Sequence, residues 1–190
     1  MDSLLISTGV VALAEMGDKT QLLAFILAAR FKKPIPIILG ILAATIINHG
    51  LAGALGAWIT SMISAEMLRW ILGASFIGMA IWTLIPDKIE EEETQIAKHL
   101  GVFGATFITF FLAEMGDKTQ LATIALAAHY AAPVAVVVGT TLGMLIADVP
   151  AVFVGNKFAA KIPMKLVHSI AAGIFALMGV LTLLGIDKLL

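Results

Sequence analysis

The sequence Glu-Met-Gly-Asp-Lys-Thr-Gln occurs twice, at residues 15–21 and 114–120. Each copy supplies two carboxylates three positions apart, Glu15 with Asp18 and Glu114 with Asp117. On a continuous helix that spacing puts both acids on one face. Four carboxylates are hard oxygen donors of the kind magnesium, calcium and manganese prefer. Lys19 and Lys118 stand four residues after Glu15 and Glu114, so each can pair with its own glutamate, and both are read as supporting or charge-balancing residues. Four negative charges less two positive leave two, the charge of one divalent cation. Gly17 and Gly116 weaken a helix interior by about 0.8–1.0 kcal/mol relative to Ala. A local unwinding there would free carbonyls for an ion, and Thr20, Gln21, Thr119 and Gln120 add neutral oxygens. Met16 and Met115 are assigned to packing.

Both copies lie inside long apolar segments. A charge at the centre of a membrane helix costs about 2.5–3.5 kcal/mol on insertion scales. An apolar residue there contributes only about 0.3–0.6 kcal/mol in return. The whole chain of 190 residues is 60% hydrophobic and 13% charged, with mean hydropathy +1.02. Soluble domains are about 45–50% apolar and about 25% charged, so the composition specifies an all-α, multi-pass membrane protein. There is no cysteine, which excludes disulfides, thiolate metal sites and thiol redox chemistry. Nothing in the charge pattern suggests nucleic-acid binding; the partners expected are the lipid bilayer, a cation and protons.

Apolar runs and their punctuation predict six transmembrane helices, at 4–29, 35–59, 67–85, 101–128, 133–155 and 165–185. Each is long enough for a hydrocarbon core of about 30 Å. The first is read as a retained helix rather than a signal peptide, because it is too long and charges interrupt it. The halves repeat. An offset of 99 pairs Glu15 with Glu114, Gly40 with Gly139 and Gly56 with Gly155. An offset of 100 pairs Gly73 with Gly173 and Asp87 with Asp187. Three helices per half force the second half to enter from the opposite side. The expected organisation is two inverted three-helix repeats, 1–88 and 101–190, joined by an acidic cytoplasmic linker at 89–100. In transporters built this way the site lies at the midplane between the repeats. Glu15, Asp18, Glu114 and Asp117 would then meet at one locus and hold the metal.

Lysine and arginine in short loops set the orientation. With the N-terminus outside, eight of them are cytoplasmic (Arg30, Lys32, Lys33, Lys88, Lys98, Lys157, Lys161, Lys165) and two are external (Arg69, Lys188). Both termini are therefore expected on the outer side. The remaining midplane polar residues are Asn48, His49 and Asp148, and the 99 offset pairs His49 with Asp148. All three are candidates for proton coupling, Asp148 foremost. His99, His129 and His168 fall near loops or helix ends and are read as ordinary. A structural clasp, in which Glu–Lys pairs merely hold helices together, is the competing account of the motifs.

These residues alone specify a divalent-cation transporter. The paired Glu-x-Gly-Asp-Lys-Thr motifs, each in the first helix of a three-helix half, also resemble one family over essentially the whole chain. It is the group that contains bacterial manganese exporters and the Golgi manganese/calcium–proton antiporters, within the lysine-exporter superfamily. Glu15, Gly17, Asp18, Lys19 and Thr20 match its first motif, and Glu114, Gly116, Asp117, Lys118 and Thr119 its second. The resemblance implies export of a divalent cation, manganese first and calcium second, in exchange for protons across a bacterial-type plasma membrane. The cation is bound as substrate, and no cofactor is expected. A cation channel or uniporter, or an exporter of a small organic cation or amino acid, are the alternatives. An enzyme is not expected: Ala14 to Asp18 lacks the Gly-x-Gly-Asp of intramembrane aspartyl proteases, and no His-Glu-x-x-His is present.

Overall fold

The computed structural model describes residues 2–85, 100–154 and 164–186, and all regular structure in them is helical. The helices are α1 (Asp2–Glu15), α2 (Lys19–Phe31), α3 (Pro34–Met62), α4 (Ala65–Thr83), α5 (Val102–Glu114), α6 (Lys118–Tyr130), α7 (Pro133–Val154) and α8 (Met164–Leu184). The acidic linker expected at 89–100 lies outside the described residues, save for Leu100 at its end.

Four helices, α3, α4, α7 and α8, are long and apolar enough to cross a membrane. They coincide with four of the six expected segments. The other two segments are not single helices. Residues 4–29 form α1 and α2, and residues 101–128 form α5 and α6, each pair interrupted inside the repeated motif. At about 1.5 Å per residue, a helix of 13 or 14 residues rises only about 20 Å, short of a hydrocarbon core. The physical cause is glycine. Gly17 and Gly116 adopt φ of +81° and +77°, a left-handed conformation that costs glycine little and other residues much.

The two split segments are built alike. Asp18 and Asp117 cap α2 and α6. Both helices then end on a left-handed residue, Lys32 (φ 52°) and Ala131 (φ 49°). A proline-started helix follows each, α3 from Pro34 and α7 from Pro133. Proline suits the first turn because its missing N–H has no partner there in any case.

Packing is reciprocal between the halves. α1 packs on α7, and α5 on α3; α2 packs on α7, and α6 on α3. α3 also packs on α7, and α4 on α8. Glycines make the close approaches. A Cβ on Gly40 of α3 would lie 2.8 Å from Thr106 Cβ and 2.9 Å from the Phe103 carbonyl oxygen of α5. A Cβ on Gly139 of α7 would lie 2.6 Å from the Leu4 carbonyl oxygen of α1. Gly73 and Gly179 make the corresponding approach between α4 and α8.

Two apolar clusters fill the interior. One contains Val10 and Ala14 of α1, Leu126 of α6, Phe76 of α4 and Phe175 of α8. The other contains Leu23 and Leu27 of α2, Phe110 and Ala113 of α5, and Ile37 and Ile41 of α3. Each broken segment thus passes from one cluster to the other at its motif. The outer surface is apolar too: Ile35, Trp58, Val134 and Phe153 are among the large side chains left exposed. That is the surface of a protein whose solvent is lipid.

Filling a helix–helix approach should destabilise the fold. Gly40→Val and Gly139→Val are each expected to cost about 1–3 kcal/mol by overpacking against backbone. Gly78→Ala should cost nothing, since its added Cβ meets no atom within 4 Å. Thermal unfolding in detergent, followed by circular dichroism, measures all three; equal melting temperatures would contradict this packing.

Candidate cation site at two helix breaks

Each break leaves backbone groups without helical partners, and the motif's own side chains take them up. Gln21 Oε1 accepts from the Gly17 N–H at 2.9 Å, and Gln120 Oε1 from the Gly116 N–H at 2.8 Å. Asp18 Oδ1 accepts from the Lys19 N–H and Asp117 Oδ1 from the Lys118 N–H, both at 2.6 Å. The same turn closes each break, with the Asp18 N–H donating to the Glu15 carbonyl and the Asp117 N–H to the Glu114 carbonyl. The glutamate therefore ends one helix and the aspartate begins the next. The expectation that Glu15 and Asp18 share one helix face, and Glu114 and Asp117 likewise, is overturned. The i,i+3 rule needs a continuous helix, and there is none.

The spacing allows each lysine to pair with its own glutamate, but among the described residues the ion pairs cross between the motifs: Lys118 Nζ lies 3.1 Å from Asp18 Oδ2, and Lys19 Nζ 3.6 Å from Asp117 Oδ2. Breaking the helix after Glu15 turns Lys19 away from the position four residues on. The Lys118 side chain is 3% exposed, against 19% for Lys19. A charge buried that deeply is retained only when paired, and Asp18 is its partner.

The glutamates are unequal. Glu15 is wholly buried and accepts from both threonines, Thr20 of its own motif at 2.6 Å and Thr119 of the other. Glu114 is equally buried, yet among the described residues neither of its oxygens has a hydrogen-bond partner. His49 Nε2 stands 4.0 Å from Glu114 Oε2, beyond hydrogen-bonding distance. Asp148, its counterpart at the 99 offset, is wholly buried, has no hydrogen-bond partner in the described residues, and acts electrostatically on Glu15. Glu114 lies within the electrostatic reach of Glu15, Asp117, Asp148 and Asp18.

Asn48 Nδ2 donates to the Phe111 carbonyl at 3.1 Å, and Gln21 Nε2 to the Ala147 carbonyl at 2.8 Å. Asn48 is thus engaged with α5 backbone just before the second motif. Among the described residues, no three acidic or histidine side chains stand together as a ready-made metal cage. What the breaks assemble is a buried cluster of acids with two internal ammonium counter-charges.

His168, whose place near a helix end carries no functional signal, reaches the first break, with Nε2 at 2.6 Å from the Met16 carbonyl oxygen. Sequence spacing carries no sign of this, because α8 is brought to α1 by tertiary packing alone.

Comparison with known proteins identifies the family. The family model described as "Divalent cation/proton antiporter GDT1" matches residues 3–91 and 102–188. A Vibrio cholerae protein named "Putative manganese exporter" is 51% identical over 96% of this chain and 90% of its own length. "GDT1-like protein 3" of Oryza sativa subsp. indica is 31% identical over 92% of this chain and 71% of its own. "GDT1-like protein 5" of Arabidopsis thaliana is 28% identical over 94% and 93%. No solved structure matches the chain. With both halves matched and the buried acids at the two breaks, the chain belongs to the GDT1 family of divalent cation/proton antiporters.

Proposed function

We propose that the protein exports manganese in exchange for protons, with the cation bound between the two motif breaks. The observation that carries this reading is the crossed pairing of Lys118 with Asp18 and Lys19 with Asp117. It draws the acids of both motifs into one buried locus, so that neither copy makes a site by itself. Glu15, Asp18, Glu114 and Asp117 are the cation ligands. Thr20 and Thr119 orient Glu15, while Gln21 and Gln120 hold the glycine turns open. The name of the Vibrio relative supports manganese as the substrate. Calcium is the second candidate on the same oxygen chemistry. Zinc and copper are disfavoured, since the motifs offer neither sulfur from cysteine nor imidazole.

The lysines act as tethered cations. When the divalent ion arrives, it takes the place of the ammonium groups on Asp18 and Asp117; when it leaves, they return. Five buried carboxylates, counting Asp148, against two lysines leave three formal negative charges. One divalent cation and one proton would neutralise them. A buried carboxylate that loses its counter-charge takes up a proton rather than stay ionised, so cation and proton occupancy oppose each other. Asp148 and His49, which face Glu15 and Glu114, are the residues proposed to hold the exchanged protons. The exchange is required energetically. Moving a divalent cation out of a cell costs about 4.6 kcal/mol per 100 mV of interior-negative potential. Two protons entering per cation would cancel that electrical work.

The architecture proposed is six membrane crossings in two inverted repeats, α1–α4 and α5–α8. α1–α2 and α5–α6 serve as broken crossings. The reciprocal packing of the halves supports it, as does the passage of both broken segments between the same two apolar clusters in opposite order. The lysine and arginine asymmetry places both termini outside.

Three outcomes are expected. In proteoliposomes, Glu15→Gln, Asp18→Asn, Glu114→Gln and Asp117→Asn should each lower manganese flux to below about one tenth of the parent value, the scale of losing a metal-site group. Parent-level flux in a folded Asp18→Asn/Asp117→Asn protein would sink the shared site. With a trapped pH dye, a manganese gradient should drive protons the opposite way, and Asp148→Asn should abolish that proton movement. Proton movement undiminished in Asp148→Asn would remove Asp148 from the exchange. Finally, a cysteine placed at position 2 of this cysteine-free chain should react with an impermeant maleimide from outside intact cells. Reaction only after the cells are opened would reverse the orientation.

A further inference from the structure

The two motif breaks share one backbone turn but differ in what covers them. At the first, the carbonyl of Met16 has lost its helical partner and lies 2.6 Å from His168 Nε2 of α8. A carbonyl can only accept, so Nε2 carries the hydrogen. At the second, the described residues provide no side-chain donor to the Met115 carbonyl, and Met115 is 55% exposed. The residue that corresponds to His168 at the offset of 100 is Leu68, which has no side-chain donor.

The packing of the outer pair is one-sided in the same sense. α8 packs on α1 and α4 on α6, so the α4–α8 pair rests on one half of each broken segment. Phe76, Met79, Phe175 and Met178 put it into the apolar cluster of α1 and α6, and no α4 or α8 residue joins the buried cluster of α2 and α5. Apolar packing already seats α8 against α1. The bond from His168 to a fixed carbonyl adds one directional constraint on how the two helices are placed.

We propose that His168 is a positioning residue that latches the α4–α8 pair onto the first helix break. The latch acts at the carbonyl adjoining Glu15, the one motif acid held by two threonines, and the second motif has no counterpart. This deepens the antiport reading and rests on it: a carrier must rearrange around its site in each cycle, and this bond is made or broken when α8 moves against α1. The latch thus biases the carrier toward the conformation described, and the bias is asymmetric although the motifs are identical.

Selective labelling tests it. In parallel proteins carrying Met16→Cys or Met115→Cys, a maleimide rate is measured in detergent with and without His168→Ala. Loss of the latch should raise the rate at position 16 by about five- to tenfold, the factor one hydrogen bond supplies. The rate at position 115 should not change. His168→Gln keeps an N–H donor and should keep the rate at 16 near the parent value. No change at 16, an equal rise at both positions, or a Gln variant as fast as Ala overturns the latch. In proteoliposomes, His168→Ala should slow manganese exchange several-fold at unchanged KM, with Gln restoring it; unimpaired turnover in Ala overturns its part in transport. A parent protein that moves no manganese would defeat the antiport reading, while the labelling rates would still decide the latch.

Discussion

Two interrupted helices buried in an apolar bundle govern the rest of this structure. A helix that stops inside a membrane leaves N–H and C=O groups with no water to meet them, each costing several kcal/mol by the usual estimates of about 2–7. Three positions of the repeated motif answer that problem. Glycine makes the turn, aspartate caps the helix that follows, and glutamine returns to the glycine N–H. The remaining carboxylate oxygens and the lysines then need counter-charges of their own. Among the described residues, Asp18 and Asp117 meet Lys118 and Lys19 of the other copy of the motif. The break is therefore the reason that the halves must associate, and the glycine approaches of Gly40 and Gly139 let the backbones come close enough to do so.

Identical motifs nevertheless produce an unequal site. Both threonines serve Glu15, and none serves Glu114. His49 approaches Glu114, while at its counterpart position stands an aspartate, Asp148, within electrostatic reach of both Glu15 and Glu114. His168 of α8 reaches the Met16 carbonyl at the first break, whereas at the second Met115 is exposed; the turn glycine is exposed in both. Part of the difference lies in the motifs themselves, whose two threonines both turn to Glu15, and part in residues of α3, α7 and α8 that surround them.

The sequence shows the membrane class, the four uninterrupted helices and the identity of the cluster residues, because apolar length and buried charge are both local signals. It also suggests that Gly17 and Gly116 could unwind a helix. What it conceals is the consequence of that unwinding. A spacing argument assumes one continuous helix, so it places Lys19 beside Glu15 and Asp18 on Glu15's face. Once α1 ends at Glu15, both relations vanish and the crossed pairs replace them. His168 illustrates the other limit. Its partner is a backbone carbonyl 152 residues away, and a carbonyl has no side-chain identity for a sequence to reveal.

The lysines explain how such a site can exist empty. Carboxylates gathered in a low-dielectric interior repel one another, and an uncompensated buried charge is strongly destabilising. A transporter must nonetheless release its cation and survive the return step. In the proposed exchange, Lys118 and Lys19 would meet this need with charges that cannot diffuse away. Each is held close to an aspartate of the opposite motif, near enough to compensate and mobile enough along its four-carbon stem to withdraw. Arginine in their place would bind its carboxylate with a rigid two-pronged fork and leave less readily. Lysine therefore suits a counter-ion that is displaced in every cycle. If the cation enters as proposed, it would loosen the same contacts that pair the two motifs, so that substrate binding and the change that carries the substrate across would be one electrostatic event.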